Sequence, residues 1–189
     1  MRKIRRFTAL IPAMILWLMF SVLLWGFVFT RITDTAREYK ITLFVDAQVP
    51  GATEMAEILE ARIGGNIRMV KVCPFMYAML DGTELTQADL FIVPLSHVET
   101  YKEWFDPLPE EMRGMSEELT ADGEIRGLRV FSAETGRGAA GAYIDYVPSG
   151  EEKEDFYLLF GSQSLHVPGH EGAVDDAALT AARYFLETE

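Results

Sequence analysis

Cysteine is almost absent: Cys73 is the single cysteine in 189 residues. No intramolecular disulfide can form, so stability has to come from a buried core, which a chain of this length can supply. Cys73 lies in the apolar run MVKVCPF, the setting of a buried and inert thiol. Asparagine is as scarce, and Asn66 begins Asn-Ile-Arg, which is no glycosylation sequence. The chain also lacks a GxSxG nucleophile elbow and a second cysteine. Ser96 and His97 are adjacent, which turns their side chains apart on a helix or strand. Carboxylates are so numerous that none stands out as a general acid. These absences point away from an enzyme, and no cofactor is expected.

Positive charge is scarce after the first residues. All 29 acidic residues follow Thr30, and only 12 of the 17 basic ones lie beyond Arg31, so that part carries a formal charge of −17. Such a surface keeps a domain soluble and argues against nucleic acid as a partner.

One long apolar run is present. From Phe7 to Thr30 no residue is charged, and as a helix the run would be about 36 Å long, more than the roughly 30 Å of a bilayer's hydrocarbon core. The sequence therefore predicts a transmembrane helix over 7–30. Arg2, Lys3, Arg5 and Arg6 precede it and place residues 1–6 in the cytoplasm and the bulk of the chain outside. A cleaved signal peptide shares the basic start. The run is longer than the usual apolar segment of such peptides, and bulky Gly26-Phe27-Val28-Phe29 offers no cleavage site. The expected organisation is a single-pass cell-membrane protein with a stalk over 31–40 and an extracytoplasmic α/β domain over 41–189.

Within that domain Ile41-Thr42-Leu43-Phe44-Val45 reads as a buried strand ending at Asp46. Met55, Ile58, Leu59 and Ile63 recur at helical spacing, with Gly64-Gly65 as terminator. Asn66 to Phe75 reads as a second strand, followed by Tyr77-Ala78-Met79-Leu80 and a turn at Asp81-Gly82. Ala88 to Pro94 reads as a third strand, whose continuous apolar centre predicts burial on both faces, as in a parallel sheet between helices. Ser96-His97-Val98-Glu99 has the form of a capping box. The segment Asp106 to Gly127 reads as a loop. Leu128 to Phe131, Tyr143 to Val147 and Phe156 to Phe160 read as strands, and a closing helix starts near Asp175-Asp176. The fold class expected is α/β: a small three-layer domain whose mixed, mostly parallel sheet is flanked by helices.

Three groups of residues are candidate sites. Ligands of open α/β sheets bind beyond the carboxyl ends of parallel strands, which selects Asp46, Gln48 and Ser96. Asp46 as a turn residue and Ser96 as a helix cap are the competing local roles. His166 and His170, with Glu171, Asp175 and Asp176, put five metal-ligating side chain types within eleven residues. Pro168 and Gly169 intervene, so His166, His170 and Asp175 are weak metal candidates. Gly136 to Gly141 spells GxGxxG, yet it precedes a strand-like stretch instead of opening a helix, so a loop fits better than a nucleotide site.

The opening strand ITLFVDA with its helix, the stretch ADLFIVPLSHVETY before Phe105-Asp106-Pro107-Leu108, and the ending YLLFGSQSLHVPGHEGAVDDAALTAARYFLE together resemble one lobe of the bacterial extracellular solute-binding proteins. The resemblance implies a type II periplasmic-binding-protein-like fold and a non-catalytic domain that binds a small ligand or a partner protein near an importer or envelope complex. The family has a second lobe, for which only Glu110 to Arg126 is available here, and Trp104 is the only tryptophan outside the apolar run. The resemblance thus implies a reduced, membrane-anchored relative. The alternative is a structural or interaction subunit of a membrane protein complex, without a small-molecule site.

Overall fold

The computed structural model describes residues 2–33, 35–75, 85–147 and 153–187, with backbone alone for 2–11 and 29–33. The chain divides into two units, Met1–Thr35 and Ala36–Glu189. The expected segment Tyr77-Ala78-Met79-Leu80 and the turn at Asp81-Gly82 lie outside the described residues.

The first unit is one 32-residue helix, α1 (Arg2–Thr33), with Pro12 inside it. Its apolar side chains from Met14 to Phe27, Trp17 and Trp25 included, are exposed. Among the described residues no helix is long and apolar enough to cross a membrane. This corrects the expected transmembrane helix over Phe7 to Thr30, and with it the single-pass placement in the cell membrane.

The second unit is a mixed α/β domain built on one sheet. Its elements are β1 (Lys40–Val45), α2 (Ala52–Ile63), β2 (Met69–Pro74), β3 (Leu90–Pro94), α3 (Leu95–Tyr101), β4 (Glu118–Ala121), β5 (Glu124–Ser132), β6 (Arg137–Gly138), β7 (Phe156–Phe160) and α4 (Ala177–Glu187). The strands lie in the order β2-β1-β3-β7-β5-β4, with β6 paired to β5.

Period-two alternation divides the strand side chains between two cores. Ile41, Leu43, Leu90, Ile92, Leu128, Leu158 and Phe160 face one side, with Met55 and Leu59 of α2 and Phe185 of α4. Ala178, Ala181 and Ala182 are fully buried there; their small side chains let α4 pack close against α2. Phe44, Phe91, Val93, Tyr157 and Leu159 face the other side, with Val98 and Tyr101 of α3 and Phe105. Phe91 meets Phe44 and Phe105 edge-on, at 5.8 and 5.0 Å between ring centres.

The sheet is mixed but not mostly parallel. Among the described residues β1–β2 and β1–β3 are parallel, and β3–β7, β4–β5, β5–β6 and β5–β7 are antiparallel. The apolar runs LFIVP and FYLLF are both wholly buried, because both strands lie mid-sheet. Continuous apolarity therefore reports central position and says nothing of strand direction.

Two further expectations change. The segment 106–127 holds a hairpin: β4 and β5 join at Asp122 and Gly123, whose φ angles of 52° and 81° are those of a two-residue type I′ turn. Tyr143 to Val147 is not a strand. Tyr143 and Ile144 donate their backbone N–H to the Ala140 carbonyl at 2.8 and 3.0 Å, in a turn around Ala140. Only Asp145 pairs, as a single antiparallel bridge to Gln48. The alternation that suggested a strand comes from Ile144 and Tyr146 plugging into the core.

Candidate functional site at the carboxyl ends of the parallel strands

β1 leaves the sheet at Asp46, whose backbone N–H still donates to the Ile92 carbonyl of β3 at 2.8 Å. β3 runs through Pro94 straight into α3. The ends of two parallel strands and the start of a helix thus converge, the place where open α/β sheets hold ligands.

Asp46 is the anchor of this end, with only 1 % of its surface exposed. Its Oδ2 lies 2.7 Å from Nδ1 of His97, and its Oδ1 is buried without a hydrogen bond of good geometry. A buried carboxylate needs a donor, so Nδ1 carries the proton toward Asp46. The same contact leaves Nε2 as the outward nitrogen, and the His97 side chain is 33 % exposed. Tyr101, one turn further along α3, stands edge-on to the imidazole at 6.4 Å. Burial first, and the charge of Asp46 second, push its hydroxyl above its ordinary value of 10.

Ser96 is occupied elsewhere. Its backbone N–H donates to Glu154 Oε2 at 2.8 Å and its hydroxyl to Glu154 Oε1 at 2.8 Å. The expected capping box is not formed, since α3 has no side-chain cap from its own segment and Glu99 pairs with Lys102. A carboxylate from the approach to β7 caps the helix instead. Gln48 is exposed, and its backbone carbonyl accepts from Asp145 at 2.9 Å.

Of the three residues selected from sequence, then, Asp46 points inward at the base of the site, Ser96 is tied to Glu154, and Gln48 lies on the chain leaving it. His97 is not among the candidates that the sequence offers. The signal for it is a histidine in the first turn after a buried strand, opposite the aspartate that ends the neighbouring strand; nothing in its local sequence marks it.

Two of the three metal candidates, His166 and Asp175, meet, and the third, His170, contacts a different carboxylate. His166 is fully buried and its Nδ1 lies 2.7 Å from Asp175 Oδ1, whereas His170 Nε2 lies 3.2 Å from Asp106 Oδ2. Asp175 also accepts from the Ala177 N–H at 3.0 Å, at the start of α4. Among the described residues no three His, Cys, Asp or Glu side chains are grouped to hold an ion.

The glycine run 136–141 forms β6 and the turn after it. It opens no helix. It borders a cleft of about 380 Å³ together with Phe131, Tyr146 and Lys153. β5 is irregular beside it: Arg129 and Phe131 pair with consecutive residues of β7, and the skipped Val130 turns its carbonyl to the Ala139 N–H at 2.9 Å, a bulge of the kind that re-aims neighbouring side chains.

No family model matches the chain, and no curated protein does. Among solved structures, the N-glycan transport solute binding protein NgtS from Streptococcus pneumoniae, in complex with Man1GlcNAc, is similar at 13% identity and a TM-score of 0.32, over 49% of this chain and 25% of that one. This chain thus spans about a quarter of the length of that solute-binding protein. The likeness is weak and assigns no family.

Proposed function

We propose that the unit Ala36–Glu189 is a non-catalytic, solute-binding-type domain that holds a small ligand against His97. The supporting observation is the 2.7 Å contact between buried Asp46 and His97. It orients the ring with Nδ1 toward Asp46, and in the neutral imidazole Nε2 is then an acceptor at the carboxyl ends of β1 and β3. Such an acceptor takes a hydroxyl or N–H donor, the groups carried by sugars, amino acids and peptides. An aspartate–histidine pair would also serve as a general base if a nucleophile stood at Nε2. The adjacent hydroxyl, Ser96 Oγ, donates to Glu154 instead, which favours binding over catalysis.

The test is a thermal-shift screen of the full chain against sugars, amino acids, peptides and divalent metals. A hit is expected to raise the unfolding midpoint of the wild type, as any ligand of the folded state must, and to lose most of that rise in His97→Ala. If no compound shifts the midpoint, or the shift survives in His97→Ala, the site is overturned, and the domain is read as a structural or partner-binding module.

A further inference from the structure

We propose that the cleft beside β6 is a second site, which binds a small organic anion with a flat apolar body. Its wall and its charge carry the inference separately. The wall is aromatic: Phe131 and Tyr146 stack at 4.6 Å with their planes 11° apart. The chain passes bare across Phe131, because a Cβ on Gly138 would lie 2.6 Å from the ring. The glycine main chain thus packs directly on the ring at the edge of the cleft, whose volume of about 380 Å³ falls in the range of small-ligand pockets.

The charge is cationic in a chain of formal charge −12. Some basic side chains of the domain meet carboxylates, Arg62 with Glu187, Lys102 with Glu99, Arg113 with Glu110, Arg126 with Glu124 and Arg129 with Glu117, while Arg37 donates to a backbone carbonyl and Arg68 lies over the Tyr39 ring. Arg137 and Lys153 both border the cleft, both are exposed, and neither has an ion pair among the described residues. Two exposed cations on the border of one cleft, without an ion pair among the described residues, are placed to receive an anionic head group. A guanidinium offers a two-pronged set of donors to a carboxylate or phosphate, and an ammonium adds a point charge. Asp145, also on the border, disfavours a dianion placed deep and favours one anionic head near Arg137 and Lys153, with the apolar body against Tyr146.

The experiment titrates the full chain, by calorimetry at low salt, with phenylacetate, phenyl phosphate, inorganic phosphate and benzyl alcohol. Phenylacetate or phenyl phosphate is expected to bind, and whichever binds more tightly identifies the head group. Benzyl alcohol and inorganic phosphate are expected to bind at least about tenfold more weakly, lacking the charge and the ring respectively. The double variant Arg137→Gln, Lys153→Gln should lose about tenfold for the aromatic anion while keeping the wild-type unfolding midpoint, since both side chains are exposed. His97→Ala should leave this binding unchanged, which keeps the cleft distinct from the site at Asp46. Absence of binding by either aromatic anion, equal binding of benzyl alcohol, or no loss in the double variant would overturn the proposal.

Discussion

The His166 imidazole and the Asp175 carboxylate meet at 2.7 Å, while the other ring nitrogen, Nε2, faces the Arg37 and Lys40 carbonyls at 3.0 and 3.1 Å. Both nitrogens therefore look at acceptors, and only the imidazolium can donate to both. Burial acts to lower the His166 pKa, but the Asp175 hydrogen bond, the Arg37 carbonyl and the charges of Asp89 and Asp175 outweigh it and raise the pKa above 6.5. The ring thereby ties the start of β1 to the approach to α4.

A histidine whose pKa is higher folded than unfolded adds stability that is complete below the unfolded value and is lost as pH rises through the folded one. The unfolding midpoint should accordingly fall as pH is raised above 6.5, the ordinary value for His166. His166→Gln should cost roughly 2–3 kcal/mol at pH 6, the loss of charge-assisted hydrogen bonds in a buried place, and should flatten this part of the profile. Denaturant titrations of both proteins from pH 6 to about 9 check it; a profile equally steep in the variant would assign the slope to other groups.

Gly161, just past β7, approaches the chain before β3 so closely that an added Cβ would lie 2.0 Å from the Ala88 carbonyl oxygen. Its own N–H donates to the Asp89 carbonyl at 2.9 Å, so the backbone cannot retreat without losing that bond. Gly161→Ala should destabilise the domain by about 3 kcal/mol, at the upper end for overpacking. The denaturation midpoint reads this directly, and a midpoint within error of wild type would show that the neighbouring strands yield.

How far this architecture can be read from residues depends on where each signal originates. β1, α2, β3, β7 and α4 were legible because burial writes itself into local pattern: apolar runs for central strands, three-to-four spacing for helices that cover them. Strand direction was not, since LFIVP and FYLLF have the same pattern and run oppositely. Tyr143 to Val147 misled because a turn can also bury alternate residues. The hairpin of β4 and β5 was missed although Asp122-Gly123 is a strong hairpin dipeptide; its strands are half exposed, so no apolar run announced them. At the site, Asp46 was legible as the residue ending a strand, whereas its partner His97 lies 51 residues on, a separation over which no spacing rule operates.

The same hairpin supplies a prediction. Gly123 has φ of 81°, where a side chain costs about 1–2 kcal/mol, and nothing lies within 4 Å of an added Cβ. Gly123→Ala should therefore destabilise by backbone strain alone, by about 1 kcal/mol. Asp122→Gly should be neutral or better, because Asp122 already has φ of 52°. Chemical denaturation of the two variants separates these outcomes, and an equal loss in both would indicate that the Asp122 side chain matters more than its backbone.

Glu154 bears on the site through α3. Its two oxygens take the N–H and the hydroxyl of Ser96, and the neighbouring Asp155 carbonyl accepts from the Leu95 N–H at 3.0 Å. The first turn of a helix only seven residues long is thus satisfied from the segment entering β7. Glu154→Ala removes both contacts, while Ser96→Ala removes one and keeps the bond from the backbone. Loss of a cap costs about 1 kcal/mol, so Glu154→Ala should lose about that much and Ser96→Ala clearly less. Because His97 follows Ser96 directly, fraying of this turn should also loosen its hold on Asp46: amide hydrogen exchange at Ser96 and His97 should quicken in Glu154→Ala and stay near wild type in Ser96→Ala. Equal exchange in both variants would mean that the Asp46 contact alone fixes the histidine, and that the cap serves stability only.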